Sequence, residues 1–232
     1  MKKIFLPFIL LLFSCGAQKA TLEEIKQSKP VHIYPTMLDY NKNTVSEKRL
    51  SVLIKDSSKQ HISIKKFIDP QTGLKDRKAI KAWGIKYNGN DYFNLGYSTD
   101  VNHWKSFAKI DIKGPYSVML VDEKSPYILN STSNYYGGGL TGALIAESHK
   151  WGKNWKDKNG MKHKLIIINT FETPQNPTSY YIGNQGNYLT RKQIKKMIKD
   201  YNLPYNPSKV KELTYEEVLE IIQTVNKKLK NN

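Results

Sequence analysis

The sequence predicts an α+β domain: a mainly antiparallel sheet, curved into a half-barrel, with two C-terminal helices packed against it. Three observations carry that expectation. Short runs of alternating apolar and polar residues fill the middle of the chain, separated by Asn-Gly and Gly-Pro pairs, and a period of two marks strands with one buried face. The C-terminal stretch changes to helical spacing behind two capping boxes. Strand-like and helix-like segments do not alternate, which argues against a doubly wound parallel sheet.

Residues 49–55 and 60–67 read as the first half-buried strands, the second alternating as His61-Ile62-Ser63-Ile64-Lys65. Residues 79–87 and 91–96 flank Asn88-Gly89, a pair suited to a two-residue hairpin loop because both central positions need positive φ. Residues 107–112 and 116–121 flank Gly114-Pro115 and predict a second hairpin. Asn159-Gly160 marks a third turn before residues 163–170, whose Leu165-Ile166-Ile167-Ile168 run is the most buried strand candidate. Thr190-Arg191-Lys192-Gln193 opens a helix over 190–202, with Ile194, Met197, Ile198 and Tyr201 on one face. Thr214-Tyr215-Glu216-Glu217 opens another over 214–230, with Val218, Ile221, Ile222, Val225 and Leu229 on its stripe. Pro204 and Pro207 separate them. The stripes are expected to pack on the sheet, the alternative being a groove for a partner. Upstream, Thr21-Leu22-Glu23-Glu24 opens a short helix running to about Gln27 before Pro30, the alternative being a flexible spacer.

The chain has 232 residues and a formal net charge of +17. That length suits one domain that buries a core without disulfide or metal staples. Hydrophobic residues make up 39%, which argues against a mostly disordered chain. A single cysteine excludes a disulfide scaffold and a Cys-rich zinc module. Only Arg49, Arg77 and Arg191 are arginines, leaving 34 lysines among the 37 basic residues. Readers of phosphates and base edges favour the planar fork of arginine. The excess therefore points to non-specific attraction to acidic surfaces, with no specific nucleic-acid partner expected.

Lys2 and Lys3 precede an apolar run over residues 4–13 that only Pro7 interrupts. The run is shorter than the ~20 residues of a transmembrane helix and has the form of a signal-peptide core. It ends in Leu12-Phe13-Ser14-Cys15-Gly16, which resembles the lipobox of bacterial lipoproteins. The resemblance implies a signal peptide over 1–14, cleavage before Cys15 and acylation of that cysteine. Residues 15–29 would then be the lipidated N-terminus and tether, and 30–232 a single domain. Glycine rather than aspartate after Cys15 implies the outer membrane, on its periplasmic side. Removal of Lys2 and Lys3 lowers the charge from +17 to +15, and that excess lies beside an anionic surface.

Further along, Ile33-Tyr34-x-Thr36-x-x-Asp39-Tyr40, Lys81-x-Trp83-Gly84, Asn88-Gly89 with Asn94, Phe107-x-Lys109-Ile110 and Gly114-x-Tyr116 follow one another in order. This succession resembles a group of uncharacterised envelope lipoproteins of Bacteroidota-type bacteria, over residues 31–121. The resemblance implies lipoprotein character; it brings no catalytic residues with it.

Motifs for catalysis are sparse. Gly137-x-Gly139-x-x-Gly142 has the form of a dinucleotide-binding fingerprint, but the polar lead-in over 130–134 is no buried strand. The segment around Gly137 and Ala146 reads instead as a glycine-rich loop entering a short apolar helix, expected to fill a gap in the domain or to meet a membrane surface. His32, His61, His103, His149 and His163 show no metal-ligand spacing, and no metal or cofactor is expected. His103, beside Trp104 and after Asp100, is the candidate for a catalytic histidine with a nearby acid. The most distinctive polar stretch holds Lys150, Trp151, Lys153, Trp155 and Lys156. Tryptophan faces stack on sugars or bases and lysines attract anions, so these five residues are the candidate contact surface for an anionic envelope glycan or another envelope protein. The competing reading is a hairpin arm whose tryptophans cover the core while its lysines stay solvated.

The expected function is thus a lipid-anchored, non-enzymatic binding or accessory module of the cell envelope. Two alternatives stand beside it: an envelope hydrolase using His103, and a structural subunit of a membrane complex using the helix stripes.

Overall fold

The computed structural model describes residues 19–121, 154–171 and 183–231. Cys15, the Gly137 segment, and Lys150, Trp151 and Lys153 lie outside the described residues.

The fold is α+β, as predicted, and its first sheet curves further than a half-barrel. Six antiparallel strands close completely: β1 (Lys29–Tyr34), β2 (Leu50–Ser57), β3 (His61–Ile68), β4 (Gly84–Tyr87), β5 (Asn90–Asn94) and β6 (Ser106–Lys109), in the order β1-β2-β3-β6-β5-β4. Two three-stranded meanders thus face each other, joined at the seams β3–β6 and β1–β4. β1 makes the closure by dividing itself. Lys29, Pro30 and Val31 pair with β2, while His32, Ile33 and Tyr34 pair with β4. Register shifts around Ile54 in β2 add the local twist that a closed sheet needs. Asn88 and Gly89, with φ of 47° and 74°, form the predicted two-residue loop between β4 and β5.

Two sequence expectations change here. Residues 79–83 are not strand: a 3₁₀ turn covers Lys78–Lys81 and β4 begins only at Gly84. Asp76 Oδ1 accepts from the Lys78 and Ala79 amides at 2.9 and 3.0 Å. Asn94 Nδ2 donates to the carbonyls of Ile80 and Ala82, each at 2.8 Å, which holds this backbone out of a ladder. The predicted Gly114-Pro115 hairpin is reduced to one antiparallel bridge, in which Val118 N–H donates to the Ile112 carbonyl at 3.0 Å and Ile112 N–H to the Val118 carbonyl at 3.2 Å. β6 is already paired on both sides, with β3 and β5. The chain therefore leaves the barrel there, and β7 (Tyr116–Val121) enters a second sheet.

That sheet centres on β9 (Lys162–Asn169), which pairs with β7 on one side and with β8 (Asn154–Lys156) and β10 (Asn187–Tyr188) on the other. Both faces of β9 are covered. Ile166 and Ile168 join Phe93, Trp83 and Met119 between barrel and sheet, whereas Leu165 and Ile167 join the cluster of the C-terminal helices. This is why residues 165–168 read as an unbroken apolar run. α3 (Arg191–Asp200) and α4 (Tyr215–Lys230) carry the capping boxes expected from Thr190 and Thr214. Ile194, Met197, Ile198, Val218, Ile221, Ile222 and Val225 are buried against the sheet. The stripes on which the structural-subunit reading relied are therefore covered within the chain.

At the N-terminal end, the segment before β1 contacts the barrel, beginning with a bridge between Lys19 and Leu74. α1 (Leu22–Gln27) has the capping box of Thr21 and Glu24 and docks on the barrel. Ala20 donates to the Gly73 carbonyl at 2.8 Å, and Glu24 pairs with Lys66 on β3.

Candidate functional site

Trp155 is 1% exposed. Its Nε1 donates to the Leu189 carbonyl at 3.3 Å, and the Arg191 guanidinium sits 5.2 Å from its ring centroid. Its indole fills the seam between β8 and the start of α3 and offers no stacking face to a ligand, which corrects its place in the expected contact surface. Lys156, its neighbour on β8, is exposed.

His103 does meet a hydroxyl, with Nδ1 and Ser106 Oγ 2.5 Å apart. Burial, and then the charge of Lys55, hold its imidazole below the ordinary value of 6.5, which favours the neutral ring and weakens it as a base. Ser106, however, is 0% exposed within β6, and a nucleophile must reach the atom it attacks. The pair ties the 98–105 loop to the barrel wall. Trp104 lies over Gly96, where a Cβ would come within 2.4 Å of the indole, and meets Tyr97 edge-on at 5.0 Å.

The residues that do converge lie where all three layers meet. Thr36 and Asp39 form a reciprocal capping box that starts α2 (Met37–Asn41), and this one and a half turns carry Tyr40 and Asn41 to the rim of the barrel. Asn43, with φ of 51°, turns the chain back. From the barrel come Lys86 on β4 and Asp91 on β5; from the crossing to the second sheet, Lys113, Gly114 and Pro115; from the end of β9, Thr170 and Phe171; from the last turn of α4, Leu229 and Lys230. Together they line an open cleft of about 640 Å³, within the usual size of ligand sites.

Asp91 is the charged centre of this cleft. It is 4% exposed, accepts from Tyr34 OH at 2.8 Å and is ion-paired with Lys113. Burial and the bond to Asp91 push the Tyr34 phenol up, and burial pushes Tyr40 up to about 12. Both remain neutral hydroxyls across the physiological range. Tyr40 shares a hydrogen bond with Ser117 Oγ at 3.3 Å. Behind them an aromatic wall runs Tyr34–Tyr40–Trp83–Phe93, with centroids 5.6, 4.7 and 5.2 Å apart. The rim is stitched by polar bonds: Asn41 Nδ2 donates to the Thr170 carbonyl at 2.7 Å, and Thr170 Oγ1 donates to the Gly114 carbonyl at 2.7 Å. Asn226 of α4 both accepts from Tyr116 N–H at 2.7 Å and donates to Tyr116 C=O at 2.8 Å. Three lysines therefore surround one buried, paired carboxylate, between carboxamides and an exposed Phe171.

Sequence reasoning did not single out Asp91, Lys113, Asn41, Asn43 or Asn226 for this site. The available signal was the ordered pattern whose members Tyr40 and Gly114 line the cleft while Tyr34 and Trp83 lie in the core cluster behind it.

Among the described residues, no group of His, Cys, Asp or Glu could hold a metal ion, and no helix is long and apolar enough to cross a membrane. No family model, curated protein or solved structure matches this chain. Its chemistry is therefore read from its own geometry.

Proposed function

We propose that this chain is a lipid-anchored binding module of the bacterial envelope, acylated at Cys15 and held at the periplasmic side of the outer membrane, and that the Asp91 cleft takes an anionic, hydroxyl-rich ligand of the envelope-glycan class. The observation that supports the ligand class is the charge arrangement. Asp91 is already neutralised by Lys113 and hydrogen-bonded by Tyr34, so Lys86 and Lys230 leave the cleft with net positive charge. Carboxamides at Asn41 and Asn43 supply donors and acceptors matched to hydroxyls, and Phe171 supplies an apolar face at the mouth. The N-terminal apolar run ending in the lone cysteine supports the anchor.

Two experiments test the parts separately. Labelled palmitate should enter the wild-type chain and not Cys15→Ala; labelling of both, or of neither, removes the anchor. An acidic oligosaccharide such as trigalacturonate should bind saturably and weaken with salt. The Lys86→Glu/Lys230→Glu variant should lose at least about tenfold in affinity. Unchanged affinity in that variant removes the cleft. If reversal of Lys150, Lys153 and Lys156 abolishes binding instead, the contact surface lies on that arm.

A further inference from the structure

A second cleft, of about 540 Å³, opens where the start of β7, the end of β9, residues 183–187 and α3 meet. It shares no lining residue with the Asp91 cleft. Its character is different. The charged residues in its lining are Lys196 and Asp200, which pair with each other one helical turn apart. The other polar side chains are the carboxamides of Asn169, Asn184, Gln185, Asn187 and Gln193 and the phenols of Tyr116 and Tyr201.

Several of these groups are fixed before any ligand arrives. Gln193 Oε1 accepts from Thr190 N–H and Oγ1, both at 2.8 Å, which sets the plane of its carboxamide. Asn187 Oδ1 accepts from Thr99. Asn184 Nδ2 donates to the Asn169 carbonyl at 2.6 Å, at the end of β9 that β10 does not reach. That last bond decides between ligand classes. A peptide that adds to a sheet needs free backbone groups along an edge, and here Asn184 already occupies the exposed carbonyl while β7 pairs the other side of Asn169. What remains is a set of side-chain donors and acceptors beside two tyrosine rings, with no net charge. Hydroxyls are met by carboxamides, which both donate and accept, and the apolar face of a pyranose by aromatic rings.

We infer that this carboxamide-lined cleft is a second binding site, for a neutral saccharide. It does not rest on the proposed role of the Asp91 cleft. The test is calorimetric titration of the full chain, in a detergent without sugar headgroups, with cellotetraose as the neutral probe and trigalacturonate as the acidic one. Cellotetraose should bind saturably with little dependence on salt. Tyr201→Ala should weaken it about tenfold, and so should Gln185→Ala, which removes no hydrogen bond of α3 and keeps the test readable if the tyrosine variant folds poorly. Lys86→Glu should leave cellotetraose binding unchanged. No saturable binding of cellotetraose would overturn the inference. So would binding that survives both cleft variants, or binding that Lys86→Glu weakens instead.

Discussion

In the barrel, every strand has a partner within its own meander, β1, β2 and β3 forming one and β4, β5 and β6 the other, and only β1–β4 and β3–β6 pair across. In the helix-backed sheet, β9 gathers strands that precede and follow it, and α3 and α4 cover its outer face. The barrel has no unpaired edge and is held by ladder hydrogen bonds and turn geometry; closure of a sheet removes the edge altogether. The sheet has ladders too, but its layers are also tied by side chains that bridge elements, Asn226 to Tyr116, Asn41 to Thr170 and Trp155 to Leu189. Rigid walls supplied by the first region and bridging polar groups supplied by the second meet at the Asp91 cleft. The difference teaches that backbone closure makes the scaffold, while long-range side-chain bonds make the site.

That contrast can be broken by substitutions that act on one region and not the other. The largest effect is expected from Gly84→Val. A Cβ there would lie 2.7 Å from the Tyr92 carbonyl oxygen on the paired strand, and neither backbone can yield without opening the barrel. A loss of about 3 kcal/mol is expected in urea unfolding; a loss below about 1 kcal/mol would mean that the β4–β5 pairing is soft. Next is Asn226→Ala. It removes both hydrogen bonds to the half-buried backbone of Tyr116 and should cost about 1 kcal/mol, with faster amide exchange at Tyr116 and little change in β2 or β3. Equal change in both regions would erase the distinction drawn here.

Thr214→Ala removes the hydroxyl that accepts from Glu217 N–H at the start of α4 and should cost about 1 kcal/mol, read as a lowered midpoint of thermal unfolding. The smallest effect separates the regions by pH. His103 has its folded value depressed by burial, so its contribution is complete above the ordinary 6.5 and is lost as pH falls through the folded value. Asp157 is held low by its hydrogen bond to His163 in the β8–β9 loop. Its contribution is present above the ordinary carboxylate value of 3.8 and is lost only below it. Between pH 7 and pH 5, therefore, amide exchange should rise around His103 in the barrel and hold steady around the β8–β9 loop. His103→Asn should flatten the first response. A rise in both places, or in the loop alone, would reverse the assignment.

Legibility followed burial. β2 and β3 were recognisable as strands from their β-branched and aliphatic residues, but they are not simply half-buried, since Leu50–Leu53 and His61–Ile64 are buried on both sides, and β9 reads as a continuous run because both its faces are covered. The helices were plain because Thr190 and Thr214 carry reciprocal caps before a stripe of period 3.6. The 79–83 segment misled because its apolar residues, Ala79, Ala82 and Trp83, are buried in a turn, and burial alone does not distinguish a turn from a strand. Trp155 misled because lysines around a tryptophan describe a solvated arm over a buried ring as well as a contact surface. Asp91 and Lys113 gave no local sign, since their meaning lies in a pairing across two elements.

By itself, the sequence determined the elements: the α+β class, the Asn88-Gly89 turn, the capped C-terminal helices and the apolar faces they bury. Periodicity, cap chemistry and turn preferences act over a few residues and can be read from a few residues. Tertiary structure alone decided that β1 divides between two partners to close the barrel, that the chain crosses to a second sheet at Gly114-Pro115, and that Asp91, Asn41, Lys113 and Lys230 face one cleft. Those outcomes depend on which edges remain unpaired once the neighbouring strands are in place, and no local pattern carries that information.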